Sequence, residues 1–387
     1  MLQPDLPYWS RRPQSTILTA GPSITEREIG YVTDAVTNGW NQHWGDYIAR
    51  FEKAFAEYVG VKHALSTSSC TGALHLILAG LGVKAGDEVI VPEITWIATA
   101  SAACYLGAKP VFVDVEPDTW CMCPRSLERA ITPRTKVIMP VHIYGHPANM
   151  DEICAIAQRH GIDIVEDAAP SLGANIRGKR TGSFGRAAAF SFQGAKIMVT
   201  GEGGMLVTND SELYERIKGL WDHGRDPHKT FWNSSVGFKY KMSNLQAALG
   251  LAQLERIEEL VEKKREIYRW YAEGLRGVPH LQLNAERPGC RNIMWMTSLI
   301  LSPDAPLSRT ELMQRLKEAN VDSRPFFYPM SVFPMFETAD SPVAKRVSDG
   351  GINLPSGHNL TREQVHYVCE VIRHHVGTAA QPTRKAA

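Results

Sequence analysis

The chain has 387 residues, 44% of them hydrophobic and 21% charged, which is enough for two or three domains and excludes disorder or a collagen-like repeat. Lys+Arg 42 against Asp+Glu 41 leaves a net charge of +1, too balanced for the phosphate-neutralising surface that non-specific nucleic-acid binding needs. The longest apolar stretch, 73–83, contains His75 and falls short of the ~20 residues of a bilayer span.

Residues 1–10 hold no apolar run of the export-signal type. A Ser-x-x-Glu capping box opens a predicted helix over 23–38, which stops at Asn38-Gly39. A second helical pattern covers 47–59, and the small-residue turn at Ser68 feeds a third that runs to Ala79. Short apolar runs then alternate with helical ones: 88–92, helix 95–106, 110–114, helix 125–131, 137–142, helix 149–160 and 162–167. This alternation predicts an α/β fold with a mostly parallel sheet covered on both faces. Ligands of such sheets sit beyond the carboxyl ends of the strands. Further on come the turn Gly201–Gly204, a strand over 205–208, a helix over 211–222, a long aromatic loop over 223–239, and one continuous helix over 244–274 leading into a second domain. The tail 381–387 is expected to fray. Seven dispersed cysteines, an odd number, read as reduced thiols of a cytoplasmic protein. Cys121-x-Cys123 has no second pair at a usable spacing, so no metal site is expected.

Three segments could carry chemistry. Lys196 follows a strand end among apolar residues, where desolvation favours the neutral amine that Schiff-base formation needs. A snorkelling surface lysine is the plainer alternative. Asp167 ends the strand 162–167 and could meet a cationic ligand group or simply cap the next segment as a helix N-cap. Ser68 to His75 places hydroxyls and N–H groups at a helix start, a phosphate-binding or merely capping arrangement. The Gly201-Glu-Gly-Gly204 run is neither a Walker motif nor a dinucleotide fingerprint and reads as a tight turn.

Together with Pro92-Glu-Ile-Thr-Trp-Ile-Ala-Thr99, the Glu-Asp-Ala-Ala run at 166–169, Ser-Phe-x-x-x-Lys at 191–196 and Tyr240-Lys-Met-Ser-Asn-Leu-Gln-Ala-Ala248, these pieces resemble the DegT/StrS family of PLP-dependent sugar aminotransferases over about residues 18–376. The resemblance implies a fold-type I (aspartate aminotransferase-like) enzyme with a large sheet domain and a smaller α+β C-terminal domain. It implies pyridoxal 5'-phosphate as cofactor, held as an internal aldimine by Lys196, which then shuttles protons. Asp167 would pair with the pyridinium nitrogen and Trp96 would stack on the ring. Thr71, Gly72 and Ser191 would receive the phosphate, and Lys239 would stand where many relatives reach a phosphate across a homodimer interface. Relatives with His in place of the lysine are dehydratases, and this chain keeps Lys196. Pro170, Lys239 and the Trp40–Gly45 run depart from the commoner family pattern.

The implied reaction moves an amino group from L-glutamate to the keto carbon of a nucleotide-linked keto-deoxy sugar. A 4-keto-6-deoxy sugar on GDP ranks first, one on dTDP or UDP second and a keto-cyclitol third, in deoxyamino sugar synthesis for a surface polysaccharide such as O-antigen. Trp40, His43, Trp232, Arg324 and Tyr328 supply the aromatic faces and donors expected to bind the substrate. The alternative class, a non-catalytic protein that retains the fold, is disfavoured by intact Lys196 and Asp167. The expected division is an N-terminal segment 1–22 packing with the small domain, a cofactor domain 23–260 and a small domain 261–387.

Overall fold

The computed structural model describes residues 12–377; residues 1–11 and the tail expected to fray at 381–387 lie outside the described residues. The first elements are α1 (Glu26–Asn38), α2 (Asp46–Val59), β1 (His63–Thr67), α3 (Cys70–Gly80), β2 (Glu88–Pro92), α4 (Ala98–Cys104), β3 (Lys109–Val113) and α5 (Pro124–Ala130). Next come β4 (Thr135–Ile138), α6 (Met150–His160), β5 (Asp163–Asp167), β6 (Asn175–Ile176), β7 (Lys179–Arg180), β8 (Ala187–Ser191), β9 (Gly204–Thr208), α7 (Ser211–Trp221), α8 (Asn244–Leu254) and α9 (Ile257–Gly274). The chain continues through β10 (Leu281–Leu283), β11 (Cys290–Arg291), β12 (Ser298–Leu301), α10 (Arg309–Glu318), β13 (Arg324–Pro325), α11 (Pro342–Gly350), β14 (Gly351–Asn353) and α12 (Arg362–Val376).

The large sheet has the order β1-β9-β8-β5-β4-β2-β3, and only β9 opposes its neighbours. Strands β2 and β9 are buried along their whole length because helices cover both faces, which is why they read as continuous apolar runs rather than alternating ones. A cluster of Phe51, Phe55, Phe190 and Phe192 at edge-to-face and tilted angles fixes α2 to the underside of β8.

The smaller sheet, β10-β12-β14-β13, is antiparallel and packs with α9, α10 and α12 around Tyr271, Leu299, Leu312 and Val368. Residues 12–22 run beside it: Ile17 N–H donates to Asn320 O at 2.9 Å and Ser356 N–H to Thr19 O at 3.0 Å. The division expected at residue 260 falls inside α9, whose Leu260 and Val261 pack into the large core while Ile267 and Tyr271 join the small one. All seven cysteines are unpaired, and among the described residues no helix is long and apolar enough to cross a membrane.

Three local expectations are corrected. The cap of α1 is Thr25 with Glu28, not Ser23 with Glu26: Thr25 N–H donates to Glu28 Oε2 at 2.8 Å, while Ser23 Oγ accepts from the Arg256 guanidinium at 2.9 Å. The helix expected over 244–274 is two, broken at Arg256, whose backbone turns to φ −122° and ψ 21°. That break lets Arg256 reach Glu28 at 3.1 Å and Glu259 at 2.6 Å, a tertiary pull that no Gly or Pro in the sequence announces. Finally, β4 ends at Ile138 rather than His142, because Pro140 has no N–H to continue the ladder. Parallel pairing with β5 resumes beyond it, Asp167 N–H donating to Pro140 O at 2.9 Å and His142 N–H to Asp167 O at 3.2 Å, which helps to place Asp167.

Candidate active site

Strands β1, β2, β5 and β8 point the same way, so their carboxyl ends share one edge of the sheet. From that edge emerge the start of α3 after β1, Trp96 after β2, Asp167 at the end of β5, and Ser191 and Lys196 at and after the end of β8. This is where an open α/β sheet binds its ligand.

Lys196 sits in a loop pinned at several points. Phe192 N–H donates to Gly203 O at 2.9 Å, Gly194 N–H to Gly201 O at 3.1 Å and Lys196 N–H to Gln193 O at 2.8 Å. Trp295 Nε1 donates to Ala195 O at 2.8 Å and brings its ring 4.0 Å from Lys196 Nζ. Burial pulls the Lys196 amine below the usual lysine range, and the Asp167 carboxylate offsets only part of that pull. The Cys70 thiol beside them is pushed well above its usual range by burial and then by Asp167, so it stays protonated. Cys70 is therefore no competing nucleophile.

Asp167 is buried, and burial raises its pKa against the hydrogen bonds that favour the anion. Its Oδ2 accepts from Thr99 Oγ1 at 2.7 Å and its Oδ1 from Ala169 N–H at 3.1 Å. No helix follows β5 directly, so the capping alternative reduces to that single bond to Ala169. Next to it, buried Glu166 accepts from the N–H groups of Gly182, Phe184 and Gly185, each at 2.7 Å, and pairs with His142 Nε2 at 2.9 Å. His142 Nδ1 accepts from Ala148 N–H at 3.0 Å, which assigns the ring proton to Nε2. These bonds lock the end of β5 from both sides.

At the third corner Ser69 caps α3, its hydroxyl accepting from Gly72 N–H at 3.0 Å. The N–H groups of Cys70 and Thr71 precede the helical ladder and remain donors for an anion. Glycine at 204 permits this approach, because a Cβ there would fall 2.6 Å from Cys70 N. Gly72 packs under Tyr240, whose ring would lie 3.1 Å from an added Cβ. Trp96 is 63% exposed, with its ring centroid 5.9 Å from Phe327. Ser191 Oγ lies 3.4 Å from Gln193 N.

The fold thus gathers Lys196, Asp167, Trp96, Thr71, Gly72 and Ser191 along one edge. Lys239 has its Nζ exposed and 2.7 Å from Asp222 Oδ1, and precedes Tyr240, whose carbonyl accepts from Ser68 N–H at 2.6 Å before the start of α3. The five residues expected to bind substrate fall in three separate surface regions. Trp40 Nε1 donates to Val36 O at 2.6 Å and His43 Nδ1 lies 2.8 Å from Asp46 Oδ2, both before α2. Trp232 stacks under Lys229 in the 223–233 loop, at 3.5 Å. Arg324 and Tyr328 line a cavity of about 730 Å³ in the small domain together with Arg309 and Lys317. Sequence reasoning missed Trp295, Thr99, Tyr144 and Phe327. Trp295, Tyr144 and Phe327 form a stacked aromatic series from Lys196 towards Trp96, with centroids 6.1 and 5.7 Å apart. Nothing in local spacing marks residues from three distant segments as neighbours; Thr99, Tyr144 and Phe327 lie in motifs the sequence singles out (92–99, 138–145 and 324–328), whereas Trp295 carried no signal.

The residues fit pyridoxal phosphate. Lys196 and Asp167 influence one another electrostatically without forming an ion pair, the arrangement that suits a ring carrying a carbonyl at one end and a basic nitrogen at the other. Free helix N–H groups suit its phosphate and an exposed indole suits its face.

Comparison with known proteins agrees. The profile of the DegT/DnrJ/EryC1/StrS aminotransferase family matches residues 22–373. GDP-perosamine synthase of Caulobacter vibrioides is 41% identical over 361 residues, covering 91% of this chain and 96% of that protein. Among solved structures, DesV of S. venezuelae in complex with a ketimine intermediate superimposes with a TM-score of 0.86 at 32% identity, covering 92% of this chain and 95% of that one. Spr1654 of Streptococcus pneumoniae in its PLP form does so with a TM-score of 0.88 at 28% identity, covering 94% and 99%. The protein belongs to the DegT/DnrJ/EryC1/StrS aminotransferase family and is a pyridoxal phosphate-dependent aminotransferase.

Proposed function

We propose that this aminotransferase moves an amino group from L-glutamate to the keto carbon of a nucleotide-linked keto-deoxy sugar, with GDP-4-keto-6-deoxymannose as the first substrate to test. The observation that carries the reading is the half-buried Lys196, whose amine sits 4.0 Å from the Trp295 ring, within the electrostatic reach of Asp167, and is depressed by desolvation. The choice of a GDP sugar rests on the relative named GDP-perosamine synthase.

Lys196 binds the cofactor through Nζ and afterwards carries the proton to and from the reacting carbon. Asp167 keeps the ring nitrogen protonated, and Trp96 covers the ring face. Thr71, Gly72 and Ser191 hold the phosphate. Pyridoxal phosphate, when bound, supplies the electron sink that lets a proton leave carbon. Trp295, Tyr144 and Phe327 wall the amine from water on one side. Trp40, His43, Trp232, Arg324 and Tyr328 bind the nucleotide sugar. The seven unpaired cysteines favour a reducing, cytoplasmic setting, where such a sugar would be made for O-antigen or a similar surface polysaccharide.

Two copies are required by this reading. Lys239 is exposed beside Asp222, and in the proposed homodimer it serves the phosphate of the neighbouring site as a point charge. Light scattering is expected to give twice the 43.0 kDa chain mass. A fully active monomer would refute the shared site.

The substrate class is tested by incubating the holoenzyme and glutamate with a panel of nucleotide keto-sugars and reading the products by mass spectrometry. Because binding energy from the remote nucleotide helps to position the keto carbon, the free keto-sugar is expected to react at least ~100-fold more slowly in kcat/KM than its nucleotide-linked form. Equal values would reject the nucleotide-sugar assignment in favour of a keto-cyclitol.

A further inference from the structure

Asp167 reaches its position through a pair of buried threonine hydroxyls. Thr99 Oγ1 lies 2.7 Å from Asp167 Oδ2, 2.8 Å from Thr95 Oγ1 and 3.1 Å from Trp96 O. All of Thr95, Thr99 and Asp167 are at least 95% buried. A hydroxyl has one proton to give. Trp96 O already accepts from Thr99 N–H at 3.2 Å, whereas Oδ2 has no other donor among the described residues. The shorter bond to a carboxylate is also the stronger. Thr99 therefore donates to Asp167, and its lone pair accepts from Thr95, whose hydroxyl fixes the direction of the Thr99 proton.

The placement of these residues matters as much as the bonds. Thr95, Trp96 and Thr99 belong to one turn at the entrance to α4, so the hydroxyl pair joins the backbone that carries the Trp96 indole to the carboxylate at the end of β5. With Ala169 N–H on Oδ1 and Thr99 on Oδ2, each carboxylate oxygen has one fixed donor and one remaining acceptor direction.

We propose that Thr99, oriented by Thr95, is a positioning residue that holds the Asp167 carboxylate in the rotamer needed to meet the cofactor's ring nitrogen and sets its distance from the Trp96 turn. This rests on the reading of Asp167 as the partner of that nitrogen. Without the hydroxyl, the carboxylate keeps a single donor in a buried setting and shares its charge less effectively with the ring.

The test uses two readouts besides turnover: the Kd for pyridoxal phosphate added to the full-length apoprotein, and the pH midpoint of the bound cofactor's visible absorbance. Thr99→Val, which keeps shape and removes the hydroxyl, is expected to raise Kd roughly tenfold and to move the midpoint by about one pH unit, the scale of one hydrogen bond to a charged group. Thr99→Ser restores both towards wild type, and Thr95→Val produces the same changes at smaller size. Should Thr99→Val not fold, as judged by circular dichroism, Thr99→Ala carries the same expectation. Wild-type Kd and midpoint in the folded variant overturn the proposal. Asp167→Asn separates the two ideas: if it changes both readouts while Thr99→Val changes neither, Thr99 alone loses its role. If Asp167→Asn also changes neither, the assignment of Asp167 fails with it.

Discussion

Lys196→Ala is expected to abolish transamination, lowering kcat by at least ~10⁴-fold, while the protein stays folded. The magnitude reflects the removal of one group with two tasks, since proton transfer by a positioned side chain alone contributes about 10²–10⁴-fold and the covalent attachment is lost as well. The fold survives because the amine is no structural anchor. It makes no hydrogen bond or ion pair among the described residues, and its one close partner is the Trp295 ring. That ring is held independently by its own bond to Ala195 O. Removing a partly desolvated amine also removes a desolvation cost, so the melting temperature is expected to hold or rise. Borohydride reduction of the wild-type holoenzyme should fix the cofactor to the peptide containing Lys196 and to no other. Labelling elsewhere, or turnover in the variant, would refute the assignment.

Asp167→Asn is expected to cut kcat on the order of 10³-fold while weakening cofactor retention far less, roughly ten- to thirtyfold. An amide can still take a hydrogen bond from Thr99 or Ala169, so local structure is preserved. It cannot balance the charge of a protonated ring nitrogen, and an unprotonated ring is a poor electron sink. Retention falls less because the donors at the start of α3 lie outside the change. The scale of the binding loss is that of one of the weaker hydrogen bonds to a charged group, about 1.5–2 kcal/mol. Stopped-flow turnover and equilibrium titration with pyridoxal phosphate measure the two quantities separately. A wild-type kcat would return Asp167 to the role of a turn residue.

The fold class was legible because its signals are local. Apolar runs of strand length such as Glu88–Pro92 alternate with capped helical segments, and this determines a covered parallel sheet whatever the rest of the chain does. Lys196, Asp167 and the start of α3 were legible for a related reason. Each follows or ends a strand, and parallel strands bring such positions to one edge without further information.

Tertiary structure decided what depends on partners far along the chain. The break between α8 and α9 exists because Arg256 is drawn to Glu28 and Ser23, more than 220 residues away, and helical periodicity is blind to that pull. Trp295 reaches Lys196 across 99 residues, and Phe327 and Tyr144 complete its wall from two other segments. The capping and ligand readings of Asp167 were equivalent in sequence because both need only a carboxylate at a strand end. The structure bears on the capping reading alone: the group is buried, Thr99 holds one oxygen and no helix follows directly for it to cap. Chain order thus determined which residues stand at the edge of the sheet, whereas burial and long-range contacts, set only when the two cores close around α9, decided the electrostatic state in which they stand there.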